Sequence, residues 1–194
     1  MQPLTRDDLL SLEQYARERS AWRERIIAHK KPRTLQVGPN TTWCFEDRAT
    51  IHYQVQEMLR AERTFEQGGI EEELGAYNPL IPDGSNWKVT FMIEYPDPTE
   101  RAAALSRLKG VEDRCWVAVG RLPRVYAIAD EDLERENAEK TSAVHFLRFE
   151  LTGEMKSELR KGAVLALGID HPAYSHALEP VPEASAASLL ADLD

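Results

Sequence analysis

The chain lacks the features that assign many proteins to a class at first sight. Its 194 residues include only two cysteines, Cys44 and Cys115, and both lie in apolar runs typical of strands, so we expect reduced thiols rather than a disulfide. No apolar run approaches the roughly 18 residues that a membrane helix requires. The first residues also lack the basic and then apolar pattern of a secretion signal. These absences predict a cytoplasmic protein that does not span a membrane.

Basic residues are also in short supply. The chain has 24 lysines and arginines against 33 acidic residues, which gives a formal charge of −9 at pH 7. Because nucleic-acid binding depends on a positive surface, we expect no nucleic-acid partner. The Gly-x-Ser-x-Gly, Walker and dinucleotide-binding motifs are missing too, so no motif names a reaction or a substrate. Oligomeric state is equally open.

What the sequence does contain is a mixture of helical and strand patterns without regular βαβ alternation. Alternating apolar and polar residues predict a half-buried strand over residues 88–95. Further strands are expected over residues 34–37, 41–46, 114–119, 124–129, 143–151 and 163–169. The pattern favours an α+β fold, with a mostly antiparallel sheet packed by a long central helix and N-terminal helices. Residues 1–174 are predicted to form one domain, and the Ala-, Pro- and Ser-rich residues 175–194 a loosely ordered tail.

The long central helix is predicted over residues 47–66 and carries an acidic residue on its apolar face. Five residues at helical spacing form that face: Ile51, Val55, Met58, Leu59 and Phe65. Glu62 falls between two of them, whereas Arg48 and Glu66 fall on the flank. A buried carboxylate is costly unless it is paired, protonated or bound to a cation. We therefore predict that Glu62 is buried and takes part in a site or an ion pair.

Histidine and carboxylate side chains near this helix are candidate ligands of a transition metal. Glu62 and Glu66 lie four residues apart, and His52 lies at the edge of the apolar stripe. His145 lies on an apolar face of its predicted strand and would approach Glu62 if the sheet packs on the helix. Iron, manganese or zinc would suit His52, Glu62, Glu66 and His145. The alternative is structural, with Glu62 paired to an arginine such as Arg48 and the histidines hydrogen-bonded within the fold.

A second candidate site follows the last predicted strand. Asp170, His171, Tyr174 and His176 lie within seven residues there, in what we expect to be an exit loop. Two histidines in a loop can bind a metal, and either His171 or His145 could act as a general base beside a carboxylate. The structural alternative is a polar loop in which Asp170 caps the local backbone.

Five stretches together resemble the uncharacterised bacterial family known as domain of unknown function 3501. They are residues 57–63 (EMLRAER), 76–87 (AYNPLIPDGSNW), 90–95 (TFMIEY), 140–151 (KTSAVHFLRFEL) and 168–174 (GIDHPAY). The resemblance spans residues 4–174 and assigns no catalytic role to any residue.

The resemblance implies a redox or peroxide-defence setting, because members of that family are often encoded beside rubrerythrin-like and iron–sulfur oxidoreductase proteins. It favours an accessory protein of such a system that binds a metal through His and carboxylate ligands. Two alternatives stay open: a metal-free adaptor that docks on those redox proteins, and a small-molecule enzyme with a His/carboxylate general base. If the protein binds a metal, its candidate ligands should converge in the fold. If it is an adaptor, it should expose an apolar patch, and if it is an enzyme, it should have a pocket lined by titratable groups with perturbed pKa values.

Overall fold

The computed structural model describes residues 1–133 and 135–194 and shows the predicted α+β fold. Its α-helices are α1 (Leu12–Lys30), α2 (Arg48–Glu62), α3 (Gln67–Tyr77), α4 (Pro98–Arg107), α5 (Gly153–Arg160) and α6 (Glu183–Leu190). No helix of the described residues is both long and apolar enough to cross a membrane.

The strands form two antiparallel sheets rather than one. The first sheet has the order β1-β2-β3-β7-β6, with β1 at Thr34–Gln36, β2 at Thr41–Glu46, β3 at Asn86–Ile93, β6 at Ile128–Ala129 and β7 at Val144–Glu150. The second has the order β5-β4-β8-β9, with β4 at Cys115–Val119, β5 at Val125–Tyr126, β8 at Leu165–His171 and β9 at Tyr174–Leu178.

Between β5 and β6 the chain passes from one sheet to the other. Sequence alternation predicts a single strand over residues 124–129, and its first half does pair with β4 as expected. Ile128 and Ala129, however, pair with Arg148 and Leu147 of β7. This change of partner brings the next residue, Asp130, beside β7.

Alternating residues of both sheets meet in one hydrophobic core. On the first sheet Trp43 stacks on Phe149, with ring centroids 5.5 Å apart, and Val117 and Leu167 of the second sheet belong to the same cluster. The opposite face of the first sheet is more polar and lies toward α2 and the end of α3. The chain therefore places α2 and its neighbours on the outer face of this sheet and the second sheet on the inner face.

Helix α2 is shorter than the sequence predicts, which changes the environment of Glu62. The helix begins after Asp47, whose carboxylate accepts hydrogen bonds from the amides of Ala49 and Thr50, and it ends at Glu62. Arg63 then adopts a left-handed conformation with φ 57°, so the helical spacing is lost beyond it. Glu62 is exposed and Phe65 is 72% exposed. The predicted burial of Glu62 is therefore wrong, because Phe65 does not continue the apolar face.

Residues 175–194 are folded against the core instead of forming the expected loose tail. They contain most of β9 and all of α6, and Leu189 is fully buried. The guanidinium of Arg33, 2% exposed, binds the Asp192 carboxylate through two nitrogens at 2.5 and 3.2 Å. The segment is rich in small residues, but a few of its apolar side chains, such as that of Leu189, are buried in the core. Composition alone does not predict this burial.

Candidate functional site

His145 is the predicted site residue that the structure places in a chemically distinctive setting. Strand β7 alternates between exposed or half-buried and buried positions, and His145 occupies a fully buried one opposite Phe91 of β3. Leu147 and Phe149 share this core-facing side of the strand. The sequence prediction of a histidine on an apolar strand face is thus confirmed, and both ring nitrogens require polar partners.

Asp130 supplies the partner on one side of the imidazole. Its Oδ2 lies 2.6 Å from Nδ1 of His145, and its Oδ1 accepts a hydrogen bond from the Phe146 amide at 3.0 Å. Asp130 has φ 50°, a left-handed conformation that aspartate tolerates better than most residues. The Asp130 amide donates to the Phe146 carbonyl at 2.9 Å. These contacts fix the carboxylate, and through it the orientation of the ring.

Three oxygen atoms surround the other ring nitrogen. Nε2 of His145 lies 3.0 Å from Oγ1 of Thr141, 3.1 Å from the Ser142 carbonyl oxygen and 3.8 Å from Oε2 of Glu112. The Thr141 hydroxyl is itself 3.4 Å from that Glu112 oxygen. Thr141 is 1% and Glu112 8% exposed, and burial raises the pKa of the Glu112 carboxyl. The site therefore holds a carboxylate in a place where its charge is poorly solvated.

This arrangement has the composition of a small metal site. One ligand atom from each of Glu112, Asp130 and His145 lies within 4.8 Å of the other two, and no other such group occurs within residues 1–133 and 135–194. A carboxylate that holds Nδ1–H leaves the Nε2 lone pair free for a metal, which is the common pattern of metal-binding histidines. The metal-free alternative has Nε2–H donating to Thr141 or Ser142, with Thr141 donating to Glu112.

The other predicted metal ligands lie elsewhere. Glu62 ends α2, and Glu66 is the residue that precedes α3, so the two carboxylates do not share one helix face. His52 lies beside the Trp22 ring, with centroids 4.8 Å apart, and burial lowers its pKa. None of these three residues belongs to the group around His145. The expected approach of Glu62 to His145 does not occur because His145 faces the opposite side of the sheet from α2.

Arg48 has a structural role at the N-terminus. It binds the Asp8 carboxylate at 2.6 Å and the Gln2 carbonyl at 3.1 Å instead of pairing with Glu62. The backbone of Thr5 and the Arg48 guanidinium together lower the pKa of Asp8 to about 2.

The second candidate site is part of the β8–β9 hairpin rather than an exit loop, and its polar atoms contact the fold. His171 lies 3.0 Å from the Lys109 carbonyl through Nε2 and accepts from the Ala173 amide through Nδ1. The Tyr174 hydroxyl donates to the Val37 carbonyl at 3.1 Å, and Asp170 accepts from the Tyr126 hydroxyl at 2.5 Å. These bonds hold His171 and Tyr174 within the fold, whereas Asp170 accepts from the side chains of Tyr126 and Arg124 rather than capping the local backbone as the structural alternative expected.

Glu112 and Asp130 are the site residues that sequence reasoning misses. Asp130 opens an acidic run that is typical of a solvated surface, and Glu112 lies in a short 3₁₀ turn at Glu112–Arg114 before β4. Neither has a periodic pattern around it, and both are distant from His145 along the chain. The nearest signal in the sequence is the predicted burial of His145. A buried histidine needs polar partners, but the sequence does not identify the residues that supply them.

Comparisons with known proteins agree with the fold and assign no activity. A family model described as "Protein of unknown function (DUF3501)" matches residues 3–193. The chain is similar to a crystal structure of a novel protein of unknown function from Burkholderia pseudomallei K96243, with 54% identity, a TM-score of 0.94 and 100% of both chains covered. No curated protein matches the chain. The match to residue 193 includes the C-terminal segment, which lay beyond the motifs of the resemblance.

Proposed function

We propose that this chain, which belongs to the family of proteins of unknown function DUF3501, binds a divalent transition-metal ion at His145 and Glu112. We place this role in a cytoplasmic redox or peroxide-defence system, as an accessory protein. The observation that carries the metal proposal is the fully buried imidazole between the buried carboxylate of Glu112 and the half-buried carboxylate of Asp130. Buried charges of this kind are usually paired or coordinate a metal.

The spacing of three atoms supports this assignment. Nε2 of His145, Oγ1 of Thr141 and Oε2 of Glu112 form a triangle with sides of 3.0, 3.4 and 3.8 Å. The His145 and Glu112 atoms, 3.8 Å apart, are within reach of two bonds of about 2.0 Å to a single zinc ion, whereas the Thr141 hydroxyl is not a usual zinc ligand. The Ser142 carbonyl, 3.1 Å from Nε2, is a further oxygen on the same side.

Asp130 has a positioning role in this proposal. Its carboxylate holds Nδ1 of His145 and is in turn held by the Phe146 amide, which directs Nε2 toward Glu112. Nitrogen and oxygen ligands of this kind suit iron, manganese or zinc. Iron or manganese would supply one-electron redox chemistry, whereas zinc would supply stability. The redox setting rests on the association that the family resemblance implies.

Metal content is the direct test. Tag-free protein purified without chelator is expected to contain near-stoichiometric iron, manganese or zinc by mass spectrometry, and Glu112→Gln and His145→Gln are expected to lose it. Asp130→Asn should weaken metal affinity by roughly 10- to 100-fold, because it removes the charge that orients the ring. His52→Gln, which alters a histidine outside the group, is the matched control and should keep the metal. Thermal unfolding of each variant shows that the fold is intact.

Absence of metal from the wild-type protein, even after reconstitution, would overturn this proposal. The metal-free adaptor would then be the leading function, tested by pull-down against rubrerythrin-like and iron–sulfur proteins. The general-base enzyme has less support, since neither His145 nor His171 lines the cavity of about 550 Å³ between α2, α3 and the first sheet.

A further inference from the structure

A cavity of about 550 Å³ lies between the helices and the outer face of the first sheet, on the side away from His145. Its walls come from α2, from α3 and the turn that follows it, from β3 and β7, and from the segment after β6. Most of the lining is apolar, and its main contributors are Met58, Tyr77, Pro79, Leu80 and Phe146. Pockets of roughly 300–1,000 Å³ with apolar walls and a few polar groups are typical of small-molecule sites.

Lys88 is the polar group that distinguishes this cavity. It lies on β3 between Glu46 of β2 and Arg148 of β7, and its side chain is half-buried. No hydrogen bond or ion pair joins its ammonium group to another residue within the ranges 1–133 and 135–194, and the Glu46 carboxylate is already bonded to Thr50 and Thr90. Burial, and after it the charge of Arg148, lowers the pKa of Lys88. An ammonium in this position would gain from an anionic partner.

The acidic residues at the rim are engaged by arginines. Glu131 accepts two hydrogen bonds from Arg148 at 2.7 Å, and Asp132 accepts from Arg135 at 2.5 and 2.6 Å. Burial, and after it the charges of Glu62 and Glu72, raises the pKa of Glu73, the remaining carboxyl of the lining. The charges of Glu131, Glu150 and Asp83 act on Lys88 from a distance, but none of these carboxylates forms a direct ion pair with its ammonium group within the described residues, so a ligand's acid group could take that place.

We infer that this cavity binds an amphipathic organic anion, with an aryl or alkyl body against Tyr77, Leu80 and Phe146 and an acid group at Lys88. The apolar walls would remove the body from water, and the half-buried ammonium would select for negative charge. None of His145, Glu112 and Asp130 lines the cavity, so this inference stands or falls separately from the metal proposal.

Two fluorescent compounds that differ in one group provide the test. The anion 8-anilinonaphthalene-1-sulfonate and the neutral N-phenyl-1-naphthylamine share an aromatic body, and titration measures the dissociation constant of each. The wild-type protein should bind the anion more tightly, in a 1:1 ratio. Lys88→Met should weaken the anion by about tenfold, the effect of losing one modest ionic contact, and leave the neutral compound within about twofold.

Two further variants locate the site. Ala76→Trp adds a bulky side chain at an exposed residue of the lining and should weaken both compounds. Lys161→Met removes a lysine from an exposed position and should change neither. If Lys88→Met leaves the anion unchanged or weakens both compounds equally, or if Ala76→Trp leaves both unchanged, the inference is overturned. Thermal unfolding confirms that each variant is folded.

Discussion

At the scale of the residue, Glu57 shows how a charged side chain fastens two helices together. Its Oε1 accepts from the Tyr15 hydroxyl at 2.5 Å and from Nε of Arg19 at 2.7 Å, and its Oε2 accepts from Nη2 of Arg19 at 2.7 Å. The hydrogen bonds from Arg19 are the main reason that the pKa of Glu57 falls to about 2. Because Tyr15 and Arg19 lie on α1, this carboxylate joins α1 to α2.

We predict that Glu57→Gln lowers the free energy of unfolding by about 1–2 kcal/mol, the usual range for a partly exposed, charge-assisted pair. Glu62→Gln, an exposed glutamate on the same helix, should change it by less than about 0.5 kcal/mol. Urea unfolding at pH 7 measures both. Equal losses in the two variants would contradict this account of Glu57.

The Glu57 carboxylate also makes the stability of the protein depend on pH. The pKa of Glu57 is lower in the folded protein than its usual value of 4.5. The contribution of this carboxylate to the free energy of unfolding is therefore complete above about pH 4.5 and is lost as the pH falls toward 2. The stability difference between wild type and Glu57→Gln should therefore shrink over this interval. Urea unfolding at a series of acidic pH values checks the sign, and a difference that grows on acidification would be inconsistent with it.

The buried histidine illustrates what the sequence can and cannot tell at this scale. The alternation of β7 was sufficient to place His145 on an apolar face, and a buried imidazole had to find polar partners. The sequence pattern could not identify Glu112 and Asp130 as those partners, because their contacts with His145 depend on how distant segments pack. The predicted burial of Glu62 is wrong for a more local reason. It assumed a helix that continues to residue 66, whereas the left-handed residue Arg63 ends that helix.

At the scale of the element, the end of α2 separates apolar residues that support the fold from those that do not. Leu59 is 2% exposed and belongs to the smaller core formed with the N-terminal segments. Phe65, which helical spacing placed on the same face, is 72% exposed. Whether an apolar residue at helical spacing is buried therefore depends on where the helix ends.

We predict that Leu59→Ala lowers the free energy of unfolding by about 2–4 kcal/mol, because it removes buried methyl groups and leaves a cavity. Phe65→Ser should change it by less than about 0.5 kcal/mol. Chemical denaturation compares the two variants. A larger loss from Phe65→Ser would show that the helix continues as the sequence pattern suggested.

A buried ion pair joins the residues that follow α6 to the segment before β1. Arg33 binds Asp192 and also donates to the carbonyl oxygens of Phe45 and Glu46 at 3.0 and 3.1 Å. Burial raises the pKa of Asp192 even though Arg33 lies 2.5 Å away. Asp192 would therefore be an uncompensated buried carboxyl without its partner.

We predict that Arg33→Met destabilises the protein by about 3–5 kcal/mol, since breaking a buried pair leaves one charge unpaired. The double variant Arg33→Met/Asp192→Leu should recover part of that loss. Arg23→Met, at an exposed position of α1, serves as the control and should be near neutral. If Arg33→Met proved as mild as the control, the C-terminal segment would not be held as described.

At the scale of the whole molecule, the topology creates the proposed metal site. The chain pairs β5 with β4 and then, two residues later, pairs β6 with β7, so Asp130 arrives beside His145. The turn before β4 brings Glu112 to the other side of the ring. Most strands and the α+β class were predictable from local patterns, whereas β9 was expected to be loop and tail. The division into two sheets was not predictable, because it depends on which strands pair.

The first sheet separates the two proposed sites, because they lie on its opposite faces. The metal site lies on the inner face of the first sheet, and the cavity lined by Lys88 lies on the outer face. Adjacent residues of β7, His145 and Phe146, point to opposite faces and contribute one to each site. Arg135 connects the two regions, because it binds both Asp130 and Asp132, so each site is best perturbed at a residue that does not bind Arg135, Glu112 in the metal site and Lys88 in the cavity.

Anomalous X-ray scattering from crystals of the protein purified without chelator tests the central claim most directly. The account predicts a peak at the absorption edge of iron, manganese or zinc, about 2 Å from Nε2 of His145 and on the side of Glu112. The peak should be absent from crystals of Glu112→Gln grown in the same way. A wild-type map without such a peak, with Nε2 of His145 still hydrogen-bonded to Thr141 or Ser142 after metal is supplied, would contradict the account.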